Sequence, residues 1–265
     1  MPLALITLSE EGLRVAERLK PNLGEDADLF LLEKLCEKLY KEKPYAKPFS
    51  EGIHTLVGEI FGKYNGLVFI MALGIVVRAI APHIKDKLSD PAVVVVDDVG
   101  RFVISVLSGH EGGANDLALK VANILHGDAV ITTGTEAKKD IIVGVGCRAD
   151  ISSEAIKEAI LSSLRACNIP LERVRLVATI EERAGVSGLC GGVRELGIPL
   201  KVISKEEINT CEKEFSRSEF VKERIGVWGV CEPAAFLAGR KTKLILKKQK
   251  FPGVTVAIAQ ENLTW

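Results

Sequence analysis

Short, nearly continuous apolar runs alternate along the chain with segments in which apolar residues recur every three or four positions. The first kind predicts buried strands and the second predicts amphipathic helices. In the first half, strands are predicted at 3–8, 27–32, 67–72, 93–96, 102–107 and 129–132. Ser9 can cap a helix running to about Leu19, with Leu13, Ala16 and Leu19 on one face. Leu56, Ile60 and Tyr64 mark a helix over 52–64, and another is predicted over 117–125. The strands at 93–96 and 102–107 read as a pair joined through Asp97, Asp98, Val99 and Gly100, residues suited to a turn.

A polar stretch at 136–140 interrupts this pattern and sets the expected boundary, giving domains 1–138 and 139–265. Beyond it, strands are predicted at 141–145, 174–179, 199–203, 244–246 and 254–259, with helices over 153–165 and 185–197. Residues 226–233 read as a glycine-flanked strand-to-helix junction, with Pro233 suited to the first helical position. The alternation predicts the α/β class: two α/β domains, each an open, mostly parallel sheet flanked by helices.

Composition narrows the function classes. Of 265 residues, 47% are hydrophobic, enough for a real core and too many for a disordered chain. Lys and Arg number 35, as do Asp and Glu, so a general nucleic-acid binder is disfavoured and any anion site must be local. Six cysteines form no C-x-x-C pair and only four histidines are present. That argues against a metal site and a disulfide framework, and for free thiols in a reducing cytoplasm. The longest apolar run, 67–77, is too short to span a bilayer, and the N-terminus reads as a buried strand rather than a signal peptide.

Candidate chemistry is densest at 108–116, between a predicted strand and a predicted helix. Gly109, Gly112 and Gly113 let a ligand approach the backbone, and free N–H groups at the helix start favour an anion. His110 offers an imidazole for acid–base work, Glu111 adjoins it, and Asn115 follows; the plain alternative is a glycine turn capped by Asn115 or Asp116. A second segment, 72–83, has Gly74 opening a turn and Arg78 as a lone charge among apolar residues. Arg78 wants either an anionic ligand or an internal partner such as Asp97 or Asp98. Thr132 and Thr133 end another strand and could bind a carboxylate, or simply turn the chain. In the second domain Gly144, Gly146 and Ala149 formally fit G-x-G-x-x-A, a weak dinucleotide signal. Arg148 beside those glycines could hold a substrate carboxylate. Glu232 is a further candidate, with a first-turn acid as its plain alternative, and Cys147 and Cys231 lack a paired base.

Several motifs in order then carry a resemblance. They are 69–82, 90–97, the segment 107–115 with 130–135 after it, 143–148, 229–235 and 248–259. Together they resemble the cobalamin biosynthesis protein G family, the cobalt-precorrin-5A hydrolases of the anaerobic pathway, over nearly the whole chain. Many members carry a central domain between the two units; here Thr135 leads to Ile141 with only five residues between. The resemblance implies that the substrate is a ring-contracted cobalt tetrapyrrole bearing a δ-lactone. Opening the lactone releases acetaldehyde and leaves cobalt-precorrin-5B. His110 and Glu111 are then the catalytic candidates, although the family motif varies at 111. Gly74, Arg78, Gly109, Gly112, Gly113, Asn115, Thr132, Thr133, Arg148 and Glu232 are the substrate-binding candidates. No cofactor is implied, because the cobalt comes with the substrate. Neighbouring enzymes of the pathway are admissible partners and a homodimer is admissible; nucleic acid and membrane are not expected. The competing class is a non-catalytic tetrapyrrole carrier or scaffold.

Overall fold

The computed structural model describes residues 2–24, 27–39 and 46–262. The chain divides into two compact units, Met1–Thr133 and Gly134–Trp265. The stretch 136–140, which set the expected boundary, belongs to the second unit for an electrostatic reason. Asp140 accepts hydrogen bonds from the Arg173 guanidinium and from Gln260, and Lys139 pairs with Glu136.

The first unit runs β1 (Leu3–Thr7), α1 (Glu10–Leu23), β2 (Ala27–Leu32), α2 (Glu33–Leu39), β3 (Ala46–Phe49) and α3 (Ile53–Ile60). It continues with β4 (Gly66–Ile70), α4 (Leu73–Ile80), β5 (Ala92–Val96), β6 (Phe102–Leu107), α5 (Ala114–Leu125) and β7 (Asp128–Val130). The strands form one sheet in the order β3-β2-β1-β4-β5-β6-β7. Every pairing is parallel except β5 with β6. Alternate strand residues serve opposite faces. Val68, Ile70, Val94 and Val96 pack with Leu13, Ala16, Ala118 and Val121 of α1 and α5. Leu67, Phe69, Val93 and Val95 pack with Leu56, Val57, Val76 and Ile80 of α3 and α4. A sheet covered on both faces explains why its central strands read as unbroken apolar runs. Ser9 caps α1 as expected, its hydroxyl oxygen accepting from the Gly12 N–H at 3.0 Å. The turn between β5 and β6 also forms where the sequence placed it. Helix α2 and strand β3 had no counterpart in the pattern, being short and half polar.

The second unit contains α6 (Gly134–Ala137), β8 (Ile141–Cys147), α7 (Ser153–Ala166), β9 (Val174–Ile180), α8 (Ser187–Glu195) and β10 (Leu200–Ile203). It closes with α9 (Lys205–Thr210), α10 (Glu219–Ile225), α11 (Cys231–Leu237), β11 (Thr242–Phe251) and β12 (Val254–Glu261). The sheet order is β10-β9-β8-β12-β11; β10, β9 and β8 are parallel, β12 runs against β8, and β11 pairs with β12 as an antiparallel hairpin. The fold is therefore α/β in both units, with the second sheet divided evenly between parallel and antiparallel pairings.

Two expectations for this unit are corrected. Gly144 and Gly146 lie inside strand β8, not in a turn, so the G-x-G-x-x-A pattern cradles no dinucleotide. Gly144 is needed for packing: a Cβ there would lie 1.9 Å from the Cys231 carbonyl oxygen and 2.7 Å from the Ala235 nitrogen. That close approach seats α11 on the sheet. Residues 226–230 form no strand either; Gly226, at φ +87°, ends α10, and the chain passes directly to α11. That helix starts at Cys231, so Pro233 is its third residue, still within the turn where no N–H is needed.

Glu232 proves to be an anchor of the fold. It is only 3% exposed. One carboxylate oxygen accepts from the Ser216 N–H at 2.6 Å; the other accepts from the Ser216 hydroxyl at 3.0 Å and the Lys248 N–H at 2.9 Å. A carboxylate so enclosed and so fully engaged has nothing left for a substrate. Burial pushes its pKa up, but the Lys248 and Ser216 N–H groups, the Ser216 hydroxyl and the Lys248 charge outweigh that and hold it below the ordinary value.

No described helix is long and apolar enough to cross a membrane. Among the described residues no group of three or more His, Cys, Asp or Glu stands together as metal ligands.

The Glu232 network generates a pH signature. Because its folded pKa is lowered, its stabilisation is fully present above the usual carboxylate range and is lost as pH falls through the lower folded value. Glu232→Ala should cost about 2–3 kcal/mol at neutral pH, the scale of hydrogen bonds to a charged group. Unfolding titrations in urea, run from neutral to acid, should show the gap between variant and wild type narrowing as acid is added. A gap that stays constant would mean that the carboxylate does not carry this stabilisation.

Candidate functional site

The antiparallel turn of β6 decides what shares an edge in the first unit. The carboxyl ends of β1, β4 and β5 lie at one edge. Because Leu107 pairs with Val93 and Val103 with Val96, β6 ends at the opposite edge, about 15 Å away for a five-residue strand. Strand β7 runs parallel to β6, so the loops after β6 and β7 emerge together. Residues 108–113 and 131–133 thus share one edge as a candidate site, and Gly74 lies at the far edge.

A buried amide joins these loops. Asn115, 6% exposed, accepts a hydrogen bond from the Ser105 hydroxyl at 2.8 Å and donates to the Thr133 hydroxyl at 3.2 Å. It ties β6, the first turn of α5 and the segment after β7. Thr133 is thereby committed to structure, while Thr132 beside it is exposed. Asn115 is not the helix cap; Gly113 holds that position at φ +80°.

The helix start is less open than the sequence suggests. The Ala114 N–H donates to the Ser108 carbonyl at 3.1 Å and the Asn115 N–H to the Gly109 carbonyl at 3.0 Å. The loop carbonyls therefore consume those donors. The N–H groups of Gly112 and Gly113 make no hydrogen bond to a described residue, and they are the donors available to a ligand. Gly112 must be glycine: a Cβ would lie 2.4 Å from the Ser108 Cβ and 3.0 Å from the Ser108 carbonyl oxygen.

His110 and Glu111 are both exposed. The Glu111 carboxylate is 2.8 Å from the Lys87 ammonium. Its hydrogen bond with Lys87, its own backbone N–H and the charges of Lys87 and His110 hold its pKa below the ordinary value. An ion-paired carboxylate is a weak base, which leaves His110 as the loop's free imidazole. The Lys87 contact spans 24 positions of sequence, and nothing in the local pattern marks it.

Gly74 does not open a turn. It is the second residue of α4, which begins directly after β4 behind the cap residue Ala72. The Arg78 guanidinium is exposed and folds back to donate to the Gly74 carbonyl at 2.8 Å. It has neither Asp97 nor Asp98 for a partner. Asp97 accepts from the Phe102 N–H and Asp98 from the Ser9 hydroxyl. These residues stand where the strand order reverses between β1 and β4, the crevice at which open α/β sheets bind ligands. Leu73, Ile75 and Val77 on α4, with Ile84 and Leu88 after it, are each more than a third exposed. Leu73 and Val77 share one side of the exposed face of α4 and Ile75 lies on the other, with Gly74 and Arg78 between; Lys87, beyond Ile84 in the chain, pairs with Glu111 of the loop.

In the second unit Arg148 is exposed at the end of β8, its N–H donating to the Gly253 carbonyl at 3.0 Å. Burial pushes the Cys147 thiol up to about 11 against the pull of the Arg183 charge, and burial pushes Cys231 up to about 11. Neither is a thiolate near neutrality, so neither is an activated nucleophile.

Sequence reasoning missed Ser108 as a site residue. It has a left-handed backbone, φ +56°, and a buried hydroxyl without a partner. A non-glycine residue in that region costs on the order of 1–3 kcal/mol, and an unmade buried hydrogen bond costs about as much. A serine closing an apolar strand carries no local sign of either.

The chain is similar to known proteins in both units. The model described as Cobalamin synthesis G N-terminal matches residues 55–136, and that described as Cobalamin synthesis G C-terminus matches residues 141–259. The chain is 26% identical to the cobalt-precorrin-5A hydrolase of Priestia megaterium over 354 aligned positions, covering 97% of this chain and 94% of that protein. It is 29% identical to a protein named "Probable cobalt-precorrin-5A hydrolase" in Methanocaldococcus jannaschii, covering 99% and 100%. It is 25% identical to the cobalt-precorrin-5A hydrolase of Salmonella typhimurium, covering 97% of each. The aligned spans exceed the 265 residues of this chain, so these relatives carry internal residues that it lacks. Among solved structures, a cobalamin biosynthesis protein G homolog from Sulfolobus solfataricus is 22% identical, covering 98% of this chain and 97% of that one, with a TM-score of 0.38. CobE, from the cobalamin biosynthetic pathway, is 23% identical over 45% of this chain and 89% of its own, with a TM-score of 0.43. The two family models meet across residues 137–140 and together take in most of the sequence: the chain belongs to the cobalamin synthesis G family.

Proposed function

We propose that this protein is a cobalt-precorrin-5A hydrolase, opening the δ-lactone of a ring-contracted cobalt tetrapyrrole and releasing acetaldehyde. The observation that carries it is the likeness, along the whole chain, to three proteins bearing that name. The 108–113 loop offers the chemistry that such a reaction needs. Water attacks the acyl carbon while His110 takes its proton. The carbonyl oxygen becomes negative and is held by the Gly112 and Gly113 N–H groups. Collapse breaks the ring carbon–oxygen bond and leaves a carboxylate and an alkoxide. The alkoxide expels the macrocycle's carbon as acetaldehyde forms. The electron pair of the broken carbon–carbon bond stays on the macrocycle, which takes up a proton.

Cobalt enters as part of the substrate, and the proposal gives the protein no cofactor of its own. A wide apolar macrocycle with peripheral carboxylates suits the exposed apolar side chains of α4 and of the segment after it: its face covers Val77, Ile84 and Leu88, and Arg78 meets a carboxylate. Asn115 and Thr133 act by holding the loop, and Glu111 by its bond to Lys87. Arg148 and Thr132, both exposed, are assigned no step, and Glu232 is assigned to structure. The six free cysteines favour a reducing compartment, so we place the enzyme in the cytoplasm among other enzymes of the pathway.

The deciding assay mixes the protein anaerobically with enzymatically made cobalt-precorrin-5A and follows acetaldehyde with the mass of the corrinoid. Stoichiometric acetaldehyde is expected. Tight binding without acetaldehyde would make the protein a carrier instead. In the same assay His110→Ala should lower kcat about 10²–10⁴-fold, the usual contribution of a general base; full turnover would remove His110 from the mechanism. Arg78→Ala should raise KM roughly tenfold and leave kcat unchanged, as loss of uniform binding does. An unchanged KM would separate the switch-point edge from the substrate.

A further inference from the structure

We infer that Ser108 is a further catalytic residue, the hydroxyl donor that joins the Gly112 and Gly113 N–H groups in receiving the oxygen made negative by attack on the acyl carbon. This inference rests on the hydrolase reading.

Two independent observations meet at this residue. The first is its unpaired hydroxyl. Ser108 is 7% exposed, and its oxygen has no hydrogen-bond partner. Thr7, Ser163 and Thr179 are the other buried hydroxyl side chains among the described residues, and each has an acceptor. Thr7 donates to the Ser9 carbonyl, Ser163 to the Ala159 carbonyl and Thr179 to the Val145 carbonyl. A protein that satisfies three such groups and leaves one buried and unpaired beneath its glycine loop has kept a donor for something else.

The second observation is the backbone. Three other described non-glycine residues have positive φ: His126, Asn168 and Lys241. His126 caps α5, Asn168 follows the end of α7, and Lys241 precedes β11, all ordinary places for a reversal. Ser108 instead ends a strand, and the reversal turns its side chain beneath Gly112. Its carbonyl is fixed by the Ala114 N–H at 3.1 Å, and the Asn115 amide fixes the strand and helix on either side. The strained geometry is held in place before any ligand arrives.

The chemistry needs such a group. As water bonds to the acyl carbon, the carbonyl electron pair moves to oxygen, and a hydroxyl hydrogen bond strengthens with that charge. The proton of the attacking water goes to His110, and Ser108 keeps its own. No covalent bond to the enzyme forms.

Two variants measured beside the wild-type chain test this. Ser108→Ala removes the hydroxyl and keeps the backbone preference. Ser108→Gly removes the hydroxyl and relieves the strain, so its Tm should equal or exceed that of the wild type. In the acetaldehyde assay both should lose about 10²–10³-fold in kcat with KM little changed, the effect of deleting one oxyanion donor. If the Ala variant fails to fold, the Gly variant decides. A stable Ser108→Gly protein with wild-type kcat would overturn the inference and reduce Ser108 to a backbone position, leaving the hydrolase reading intact. A wild-type chain that releases no acetaldehyde would instead overturn that reading, and this inference with it.

Discussion

The side-chain amide of Asn115 is the interaction on which the proposed centre depends. It is buried, accepts from Ser105 and donates to Thr133, and so locks together three segments that share only an edge of the sheet. Each bond is worth about 1 kcal/mol to stability. Their larger effect is geometric. Gly109 lies so close that a Cβ would come within 2.9 Å of the Asn115 amide oxygen and of a Thr133 methyl. The loop between Gly109 and Gly113 therefore has fixed ends, and its free N–H groups are aimed before a ligand binds. Preorganised donors are worth more than mobile ones because no reorganisation is spent during reaction.

That centre exists because one strand is reversed. Had β6 run parallel to β5, its loop would have joined Gly74 and Arg78 at the switch point. The Asp97–Gly100 turn instead sends β6 back, and α5 then returns the chain to a parallel β7.

The sequence pattern carried the architecture wherever an element is buried on both faces. Strands β1, β2, β4, β5, β8 and β9 lie within two residues of the expected ranges, because burial forces unbroken apolar runs. The Ser9 cap was legible from its residue type. What failed to show depends on distant partners. Gly144 reads as a turn glycine until α11 is seen lying on it. Glu232 reads as a first-turn acid, and only the fold brings Ser216 and Lys248 to it. In 108–116 the residues that stand out, His110 and Glu111, are the exposed ones. Ser108, whose backbone angle and unpaired hydroxyl matter most, looks like any serine at the end of a strand.

The two parts of the first unit divide the energetic work. Covering exposed apolar side chains such as Val77, Ile84 and Leu88 would supply several kcal/mol of binding, at about 25 cal/mol per Å² of apolar area. That contact is the same before and after the acyl carbon is attacked, so it lowers KM and leaves the barrier alone. The barrier must fall where charge changes, and within this unit the groups that meet a new negative charge are the donors of the 108–113 loop. In the proposed mechanism a macrocycle held along α4 brings its lactone to that loop without using the loop's own donors for binding. Those donors then act only when the oxygen becomes an anion, which is the condition under which a hydrogen bond accelerates a reaction instead of merely retaining a substrate.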